Sequence, residues 1–329
     1  MTGASGIGSW PGTSVREAVI TVRDLLVPTE GLGVPYLPET PGRGPGADLI
    51  GRGAGLLADL SVDLQPSGWR FVDRAGHDAA RTAALLRQEL DELAEAYDGY
   101  AGPLKVQITG PWTLAASLEL NRGERTVTDR GASRDVIDSL AEGAARHLAD
   151  VRRLVPGAQV ILQVDEPALP AVLAGSLPAA SGYGRARSVD PLVVLGGLQA
   201  VLAAHDGPTV VHCCHPGAPI PLLRAAGVGA LALDLTEATP TVWESLAVSI
   251  EAGVGLYAGV LPTDGSGSVT AACRLVSDGF ERVGLAASYL AAVTITPTCG
   301  LAGLTLAGAR DVQRMALAVA SELREIEDH

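Results

Sequence analysis

The chain has 329 residues, of which 47% are hydrophobic and only 4% aromatic. A chain of this length buries about three-quarters of the surface that it exposes when unfolded, so it needs no disulfide or structural metal to be stable. Its 24 basic and 37 acidic residues give a formal net charge of −13, which argues against nucleic acid and against an anionic membrane surface as partners.

Short runs rich in Val, Ile and Leu recur along the chain, and each ends in polar residues, Gly or Pro. They predict eight strands, at residues 6–10, 34–39, 105–110, 160–166, 209–214, 230–236, 253–261 and 291–299. Amphipathic stretches predict helices at residues 14–27, 46–60, 77–98, 134–154, 190–204, 216–226, 240–252, 268–283 and 304–327. Strands that alternate with helices form parallel βαβ units, and eight such units predict an α/β fold closed into a (β/α)8 TIM barrel. A doubly wound open sheet with a small second domain is the alternative.

One segment interrupts this alternation. Residues 61–75 alternate apolar and polar side chains around Pro66-Ser67-Gly68, which predicts a β-hairpin insertion. No Pro- or Gly-rich linker divides the chain into two halves, so we predict one domain over residues 1–329.

Reactive side chains collect where the predicted strands end. In a TIM barrel the active site lies at this carboxyl edge of the strands. The residues there are Ser9, Glu39, Thr109, Asp165, Glu166, His212, Cys214, Asp234, Glu237 and Cys299. Strand ends chosen at random would not collect a histidine, two cysteines and several carboxylates, so we predict a functional site at this edge.

The most specific local motif is the sequence HCCH at residues 212–215. Side chains alternate in direction along a strand, so His212 and Cys214 point to one face and Cys213 to the other. Cys299 ends a different strand and can add a second sulfur. One imidazole and two thiolates form a donor set for Zn²⁺ and exclude Mg²⁺ and Ca²⁺. The alternative is that the cysteines are small buried hydrophobic residues.

Carboxylates and backbone groups extend the predicted site. Asp234, at the end of a neighbouring strand, offers a fourth metal ligand, with Glu237 in reserve. The pair Asp165-Glu166 can bind an ammonium group or exchange protons, although Glu166 can instead cap the following helix. Residues 7–9 offer backbone N–H groups and a hydroxyl to a carboxylate.

The cysteines and the start of the chain predict a cellular location. Four cysteines in a chain of this length are too few for a disulfide framework. The sequence begins without a basic, apolar leader and contains no run of 18 apolar residues, so we expect neither secretion nor a membrane span. These features predict a cytoplasmic protein.

Seven motifs, taken in order, resemble the C-terminal catalytic barrel of the cobalamin-independent methionine synthase family. They are IGSWPGT, LPETP, ITGPWTL, QVDEPAL, VVHCC, ALDLT and TPTCGL, and the resemblance extends from residue 7 to about residue 325. It implies a (β/α)8 barrel of the uroporphyrinogen decarboxylase and methionine synthase superfamily. It also implies a zinc-dependent methyltransferase that moves a methyl group to the thiol of homocysteine and so gives methionine.

The resemblance also implies a role for each matching residue. The implied zinc ligands are His212, Cys214, Cys299 and, where the family has a glutamate, Asp234, with Glu237 in reserve. The residues implied to hold the amino acid's carboxylate are Ile7 and Ser9. The residues implied to hold its ammonium group are Glu39 and Asp165.

The chain departs from the family in its folate chemistry. The family's catalytic histidine falls after the seventh predicted strand, where this chain has Gly259 and Val260. The tryptophan that flanks the folate falls near Ser117. The full-length enzyme has two barrels, whereas this chain has the length of one. We therefore expect a donor other than folate, either methylcobalamin or a methylated corrinoid protein, which would then be a partner.

Two other functions fit the same residues. One is a zinc-dependent methyltransferase that acts on a different thiol. The other is a barrel that binds zinc or an amino acid without turnover, since the histidine that would handle a proton is missing. The presence of Ser9, Glu39 and Asp165 favours an amino-acid thiol as the substrate.

Overall fold

The computed structural model describes residues 2–29, 31–179 and 183–327. The strands are β1 (Gly3–Ala4), β2 (Ser61–Gln65), β3 (Gly68–Val72), β4 (Gly102–Thr109), β5 (Ala158–Asp165), β6 (Thr209–Cys213), β7 (Ala230–Asp234), β8 (Gly255–Leu261) and β9 (Val293–Pro297). The helices are α1 (Val15–Leu26), α2 (Leu49–Leu56), α3 (His77–Ala96), α4 (Pro111–Ser117), α5 (Arg130–Leu154), α6 (Leu169–Ala174), α7 (Pro191–Leu202), α8 (Ile220–Ala225), α9 (Pro240–Glu251), α10 (Val269–Val283) and α11 (Leu306–Glu327).

Seven parallel strands form one curled sheet in the order β1-β9-β8-β7-β6-β5-β4. Its two edge strands, β1 and β4, are joined through the segment 33–39. Three isolated parallel bridges make this connection: Ala4–Gly33, Ser9–Glu39 and Tyr36–Lys105. The segment therefore takes the place of the second barrel strand, and the predicted (β/α)8 TIM-barrel fold is confirmed.

The first two barrel strands are less regular than the sequence predicted. Regular pairing of the first strand is confined to β1, whereas we predicted it at residues 6–10. The predicted strand 34–39 pairs only through single bridges, because Pro35 and Pro38 have no N–H to donate to a ladder. Gly6 packs so tightly on the Tyr36 ring that an added Cβ would overlap it, so this position requires glycine.

All nine predicted helices are present, with shorter ends in some cases. A side-chain oxygen on the residue just before a helix accepts a backbone N–H of its first turn, as Ser14 does for α1, Asp129 for α5 and Ser268 for α10. The short helices α4 and α6 were not predicted. Both follow barrel strands directly and begin with a proline in their first turn.

The predicted insertion is confirmed as a hairpin. Strands β2 and β3 pair antiparallel, from Ser61 opposite Val72 to Gln65 opposite Gly68. Gly68 has a φ of 135°. Residues with a side chain rarely adopt this backbone conformation, so the turn requires glycine at this position. The hairpin is held to the barrel by an ion pair of 2.7 Å between Arg70 and Glu119.

Alternation along the strands separates two buried layers. Residues such as Leu162, Val211 and Leu231 join the large core between the barrel wall and the helices. A smaller apolar cluster comprises Ile7, Ile161, Val210, Ala230, Ala232 and Tyr257, which alternate with the first set and so fill the barrel's interior. Nearer the carboxyl ends of the strands the interior turns polar and buried, with Lys105, Gln107, Gln163, Asp165, His212 and Thr296. This polar end positions the candidate site.

None of the helices in the described ranges is long and apolar enough to cross a lipid bilayer.

Candidate functional site

Three of the predicted metal ligands converge at the carboxyl end of the barrel. The ligand atoms of His212, Cys214 and Cys299 lie within 4.8 Å of one another, and the two sulfurs are 3.8 Å apart. Strand β6 supplies His212 and leads into Cys214, while Cys299 follows β9. Cys213, between the two β6 ligands, is fully buried in the core on the opposite face. The alternation predicted for these residues is therefore confirmed.

The imidazole of His212 has one nitrogen engaged and one free of partners. Its Nδ1 lies 3.0 Å from Oδ1 of Asp165, and an ionised carboxylate only accepts hydrogen bonds. Nδ1 therefore carries the proton, and Nε2 keeps its lone pair. Nε2 is buried and has no hydrogen-bond partner among the described residues. A carboxylate behind a histidine fixes the tautomer in this way in zinc sites.

This donor set fits a zinc ion. An orphaned imidazole nitrogen and two sulfurs within 4.8 Å offer soft and intermediate ligands, the combination that zinc prefers over hard cations. A zinc ion held there would take three ligands from this group, and the predicted Asp234 would be a fourth.

The surroundings of Cys299 favour its negatively charged form, which a cation would bind. The hydrogen bond from Cys214 and the nearby His212 lower the pKa of Cys299 to about 6, against the effect of burial. The same shared proton, together with burial, raises the pKa of Cys214. Cys299 is therefore ionised more readily than Cys214. Burial favours a neutral His212 ring, but Asp165 outweighs it and raises the pKa of His212.

The predicted carboxylate ligands lie outside this three-residue group. Asp234 ends β7 and is half-buried, and its Oδ1 accepts hydrogen bonds from the backbone N and the hydroxyl of Thr236, at 2.9 and 2.6 Å. Glu237 is exposed. Asp234 lies nearer than Glu237 to the end of β7. The role of either carboxylate as a metal ligand remains a prediction.

Neither residue at the family's histidine position can present a side chain to the site. Val260 is 4% exposed and packs into the core that faces the helices. Gly259 points to the interior, but a Cβ added there would lie 2.6 Å from the carbonyl oxygen of Leu233 and 3.0 Å from Cα of Thr298. The backbone atoms of Leu233 and Thr298 therefore leave no room for a side chain at position 259.

The segment predicted to hold a carboxylate lies against the metal-ligand group. A Cβ on Gly300, the residue after Cys299, would overlap Oγ of Ser9, and Leu301 donates its N–H to the Ser9 carbonyl at 2.8 Å. Ile7 is 5% exposed and belongs to the interior cluster. The glycine after Cys299 is thus required for the close approach of the first and last barrel strands.

The two carboxylates predicted to hold an ammonium group already have partners. Oε1 of Glu39 lies 3.1 Å from Nε of Arg52, which also pairs with the buried Glu89. Burial raises the pKa of Glu39 more than Arg52 lowers it, and the nearby charge of Asp165 raises it further. A cation between Glu39 and Asp165 would relieve this repulsion.

Glu166 caps a helix, but not the helix that the sequence suggested. Its Oε1 accepts the N–H of Trp112 at 2.9 Å, and its Oε2 accepts the N–H and hydroxyl of Thr113 at 2.8 and 2.7 Å. These residues lie in the first turn of α4, which follows β4, so the side chain of Glu166 caps an earlier helix and not the following one that the alternative named. Burial raises the pKa of Glu166 to about 7.

Sequence reasoning missed three buried polar residues next to the site. Lys105 is the only lysine of the chain and is fully buried, Gln163 is also fully buried, and Arg52 is 4% exposed. The alternation of side chains along a strand could have indicated two of them, Gln163 and Lys105. Gln163 shares a face with Asp165, and Lys105 shares one with Thr109.

Comparison with known proteins agrees with the motifs. The sequence model of a family described as the cobalamin-independent synthase catalytic domain matches residues 1–322. Comparison with curated protein sequences gave no match. A B12-independent methionine synthase from Shewanella sp. W3-18-1, solved with selenomethionine, shares the fold, with 13% identity, a TM-score of 0.62 and coverage of 98% of this chain and 97% of that chain. A candidate dihydrodipicolinate synthetase from Pseudomonas aeruginosa is 13% identical with a TM-score of 0.44, over 100% of this chain and 81% of that chain. The length of the family match shows that the chain belongs to the family of cobalamin-independent methionine synthase catalytic domains.

Proposed function

We propose that the barrel is a zinc-dependent methyltransferase that moves a methyl group to the thiol of homocysteine and so gives methionine. The observation that supports it most is the convergence of the orphaned Nε2 of His212 with the sulfurs of Cys214 and Cys299. Methylation of a thiol needs the thiolate, and a free thiol with a pKa of about 8.5 is mostly protonated at neutral pH. Zinc bound there would keep the substrate's sulfur deprotonated.

In this proposal the ligands are His212, Cys214 and Cys299, with Asp234 as the fourth and Glu237 in reserve. The orphaned nitrogen and the sulfur pair support the first three. Asp165 holds the proton of His212 Nδ1 and so keeps Nε2 available to the ion. Its carboxylate therefore has a second task beside the binding of substrate.

The amino-acid end of the substrate is proposed to lie among the ends of the first two barrel strands and β5. Ile7 and Ser9 would hold its carboxylate, and the contact of Ser9 with Gly300 supports a place close to Cys299. Glu39 and Asp165 would hold its ammonium group. Their mutual repulsion supports this, because a cation between them lowers the free energy of both carboxylates.

The chemical step is an in-line displacement. The thiolate sulfur attacks the methyl carbon, a sulfur–carbon bond forms, and the bond from the methyl group to the donor breaks with its electron pair remaining on the donor. The sulfur gives up its proton before the attack, so the acceptor needs no base during transfer. The donor's leaving group decides whether an acid is needed.

The identity of the donor rests on Gly259 and Val260. Neither position can present the family's histidine, which supports a donor whose leaving group needs no proton, such as methylcobalamin or a methylated corrinoid protein. The family's description as cobalamin-independent favours methyl-tetrahydrofolate instead. We propose the corrinoid donor on the first observation, and an assay with both donors decides between them.

The proposal is tested by metal analysis followed by turnover. Purified protein should contain about one zinc per chain, and Cys299→Ser should lose it. The matched control is Cys273→Ser, because Cys273 lies on α10 with its sulfur 3.3 Å from a Glu322 oxygen. Methionine formation from homocysteine is then measured with methylcobalamin and with methyl-tetrahydrofolate. Absence of zinc from the wild-type protein would refute the proposed function.

Two alternatives are outcomes of the same assay. Methylation of a simple thiol in preference to homocysteine would indicate a different thiol methyltransferase. Zinc without turnover from either donor would indicate a barrel that only binds. A reducing, cytoplasmic location suits the proposal, because sulfurs 3.8 Å apart would form a disulfide on oxidation and no longer bind an ion.

A further inference from the structure

A continuous string of buried hydrogen bonds crosses the barrel beneath the site. Nζ of Lys105 and Nε2 of Gln163 each lie 2.8 Å from the carbonyl oxygen of Ile7. The same Nε2 of Gln163 lies 2.7 Å from Oδ1 of Asp165, which also accepts from Nδ1 of His212. We call these five residues the polar string. It runs from the proposed carboxylate-binding segment to a proposed zinc ligand.

Gln163 is the residue that joins the two halves of the string. Its NH₂ group has two hydrogens, and its two acceptors are a carbonyl oxygen and a carboxylate oxygen. The amide cannot be turned over, because Oε1 would then face both acceptors. Oε1 is left buried and without a hydrogen-bond partner among the described residues. An unsatisfied buried acceptor destabilises the folded state, and a residue that only filled space would avoid this cost.

Lys105 is the basic group of the string. It is fully buried, and its Nζ lies 5.2 Å from the centre of the Tyr36 ring and 3.5 Å from Oε1 of Gln107. Burial lowers the pKa of Lys105 to about 7, and the carboxylates of Asp165 and Glu39 oppose this shift. Lys105 therefore holds the Ile7 carbonyl from one side while Gln163 holds it from the other.

We infer that Gln163 is a positioning residue that couples the binding of the amino-acid substrate to the binding of the metal. This inference rests on the proposed function. Through Ile7 it sets the segment that would hold the substrate's carboxylate, and through Asp165 it sets the ring of His212. One side chain thus sets both ends of the site without touching the reacting atoms. Lys105 is inferred to position the carboxylate end alone.

The test compares two buried glutamines. Gln163→Met keeps the length of the side chain but removes both donated hydrogen bonds. Gln313→Met is the matched control, since Gln313 is also fully buried and donates to the carbonyl of Ser5 at 3.2 Å, in the same segment as Ile7. Gln313 has no hydrogen bond to Asp165 among the described residues. A loss of packing or of one buried hydrogen bond affects both variants alike.

Zinc affinity is measured in the absence of substrate, by competition with a chelating dye. We expect Gln163→Met to weaken zinc binding by about 10-fold, the lower end of the effect of changing a group behind a metal ligand. We expect Gln313→Met to stay within about twofold of the wild type, because its side chain has no hydrogen bond to Asp165 among the described residues. In the turnover assay, KM for homocysteine should rise in Gln163→Met and Lys105→Met but not in Gln313→Met.

The outcomes separate this inference from the function on which it rests. A wild-type protein that binds no zinc overturns both. A wild-type protein that binds zinc, with Gln163→Met equal to Gln313→Met in zinc affinity, overturns only the coupling. If Gln163→Met does not fold, Gln163→Asn replaces it, because its shorter amide cannot reach both acceptors. The same result is expected from it, and the same equality would overturn the inference.

Discussion

Cys213 and Cys214 are adjacent in sequence but face opposite sides of the barrel wall, and this predicts opposite effects of the same substitution. Cys214→Ala removes one of the proposed zinc ligands and should weaken zinc binding more than 100-fold, since the loss of a group behind a ligand already costs about 10–100-fold. Cys213→Ala should leave zinc affinity unchanged, because its sulfur is buried among the residues that contact the helices.

The effect on stability should be the reverse. Removing one buried sulfur resembles the removal of one core methyl group, which costs about 0.5–1.5 kcal/mol. Unfolding entropy is about 2.1 cal/mol/K per residue, and the chain has 329 residues, so each kcal/mol lowers Tm by about 1.4 °C. Cys213→Ala should therefore lower Tm by about 1–2 °C. The half-buried Cys214 should have a smaller effect.

Both measurements need the same metal-free starting material. Tm is recorded by calorimetry in the presence of a chelator, so that ligand binding does not stabilise one variant more than the other. Zinc is then added back and its affinity measured by dye competition. Retention of zinc by Cys214→Ala together with its loss in Cys213→Ala would refute the assignment of faces along β6.

Three further predictions concern stability. Gly259→Ala should destabilise the fold by about 1–3 kcal/mol, whereas Gly196→Ala, in open space on α7, should stabilise it by about 0.5–1 kcal/mol; equal Tm values would contradict this. Glu166→Gln should cost about 1–3 kcal/mol, because an NH₂ group would face a backbone N–H of α4, with zinc affinity as the unchanged control. Burial, and to a lesser degree Arg52, lowers the pKa of His147 from 6.5 to about 4, so the unfolded chain binds this proton more readily than the folded one. Stability should fall by up to about 3 kcal/mol as pH falls from 6.5 to about 4, and an equally steep fall in His147→Leu would count against it.

Local patterns predicted most of the fold and the direction of the metal ligands. Apolar runs and amphipathic stretches are properties of a short window, which is why nine of the eleven helices in the described ranges could be predicted. The period of two along a strand is also a local property, and it was enough to place Cys213 and Cys214 on opposite faces. Pro35 and Pro38 are also a local feature of the sequence. Because proline has no N–H to donate, they indicate an interrupted second strand.

The partners of the carboxylates could not be predicted in the same way. Asp165 forms a hydrogen bond with His212, which lies 47 residues away in the sequence, and Glu166 forms one with Trp112, which lies 54 residues away. Adjacent carboxylates at a strand end are compatible with binding an ammonium group, orienting a histidine or capping a helix, and only the three-dimensional arrangement distinguishes these. The pairing of Glu39 with Arg52 was missed for the same reason.

The pairing of the first barrel strand with the last has a consequence for synthesis on the ribosome. Gly3 pairs with Thr294, and Ser9 contacts Gly300 and Leu301, so the contacts that close the ring join residues about 290 positions apart. A growing chain that has not yet released Cys299 can build the individual βα units, but it cannot close the ring or bring the three donor atoms together. We therefore expect nascent chains without Cys299 not to retain a metal ion at this site.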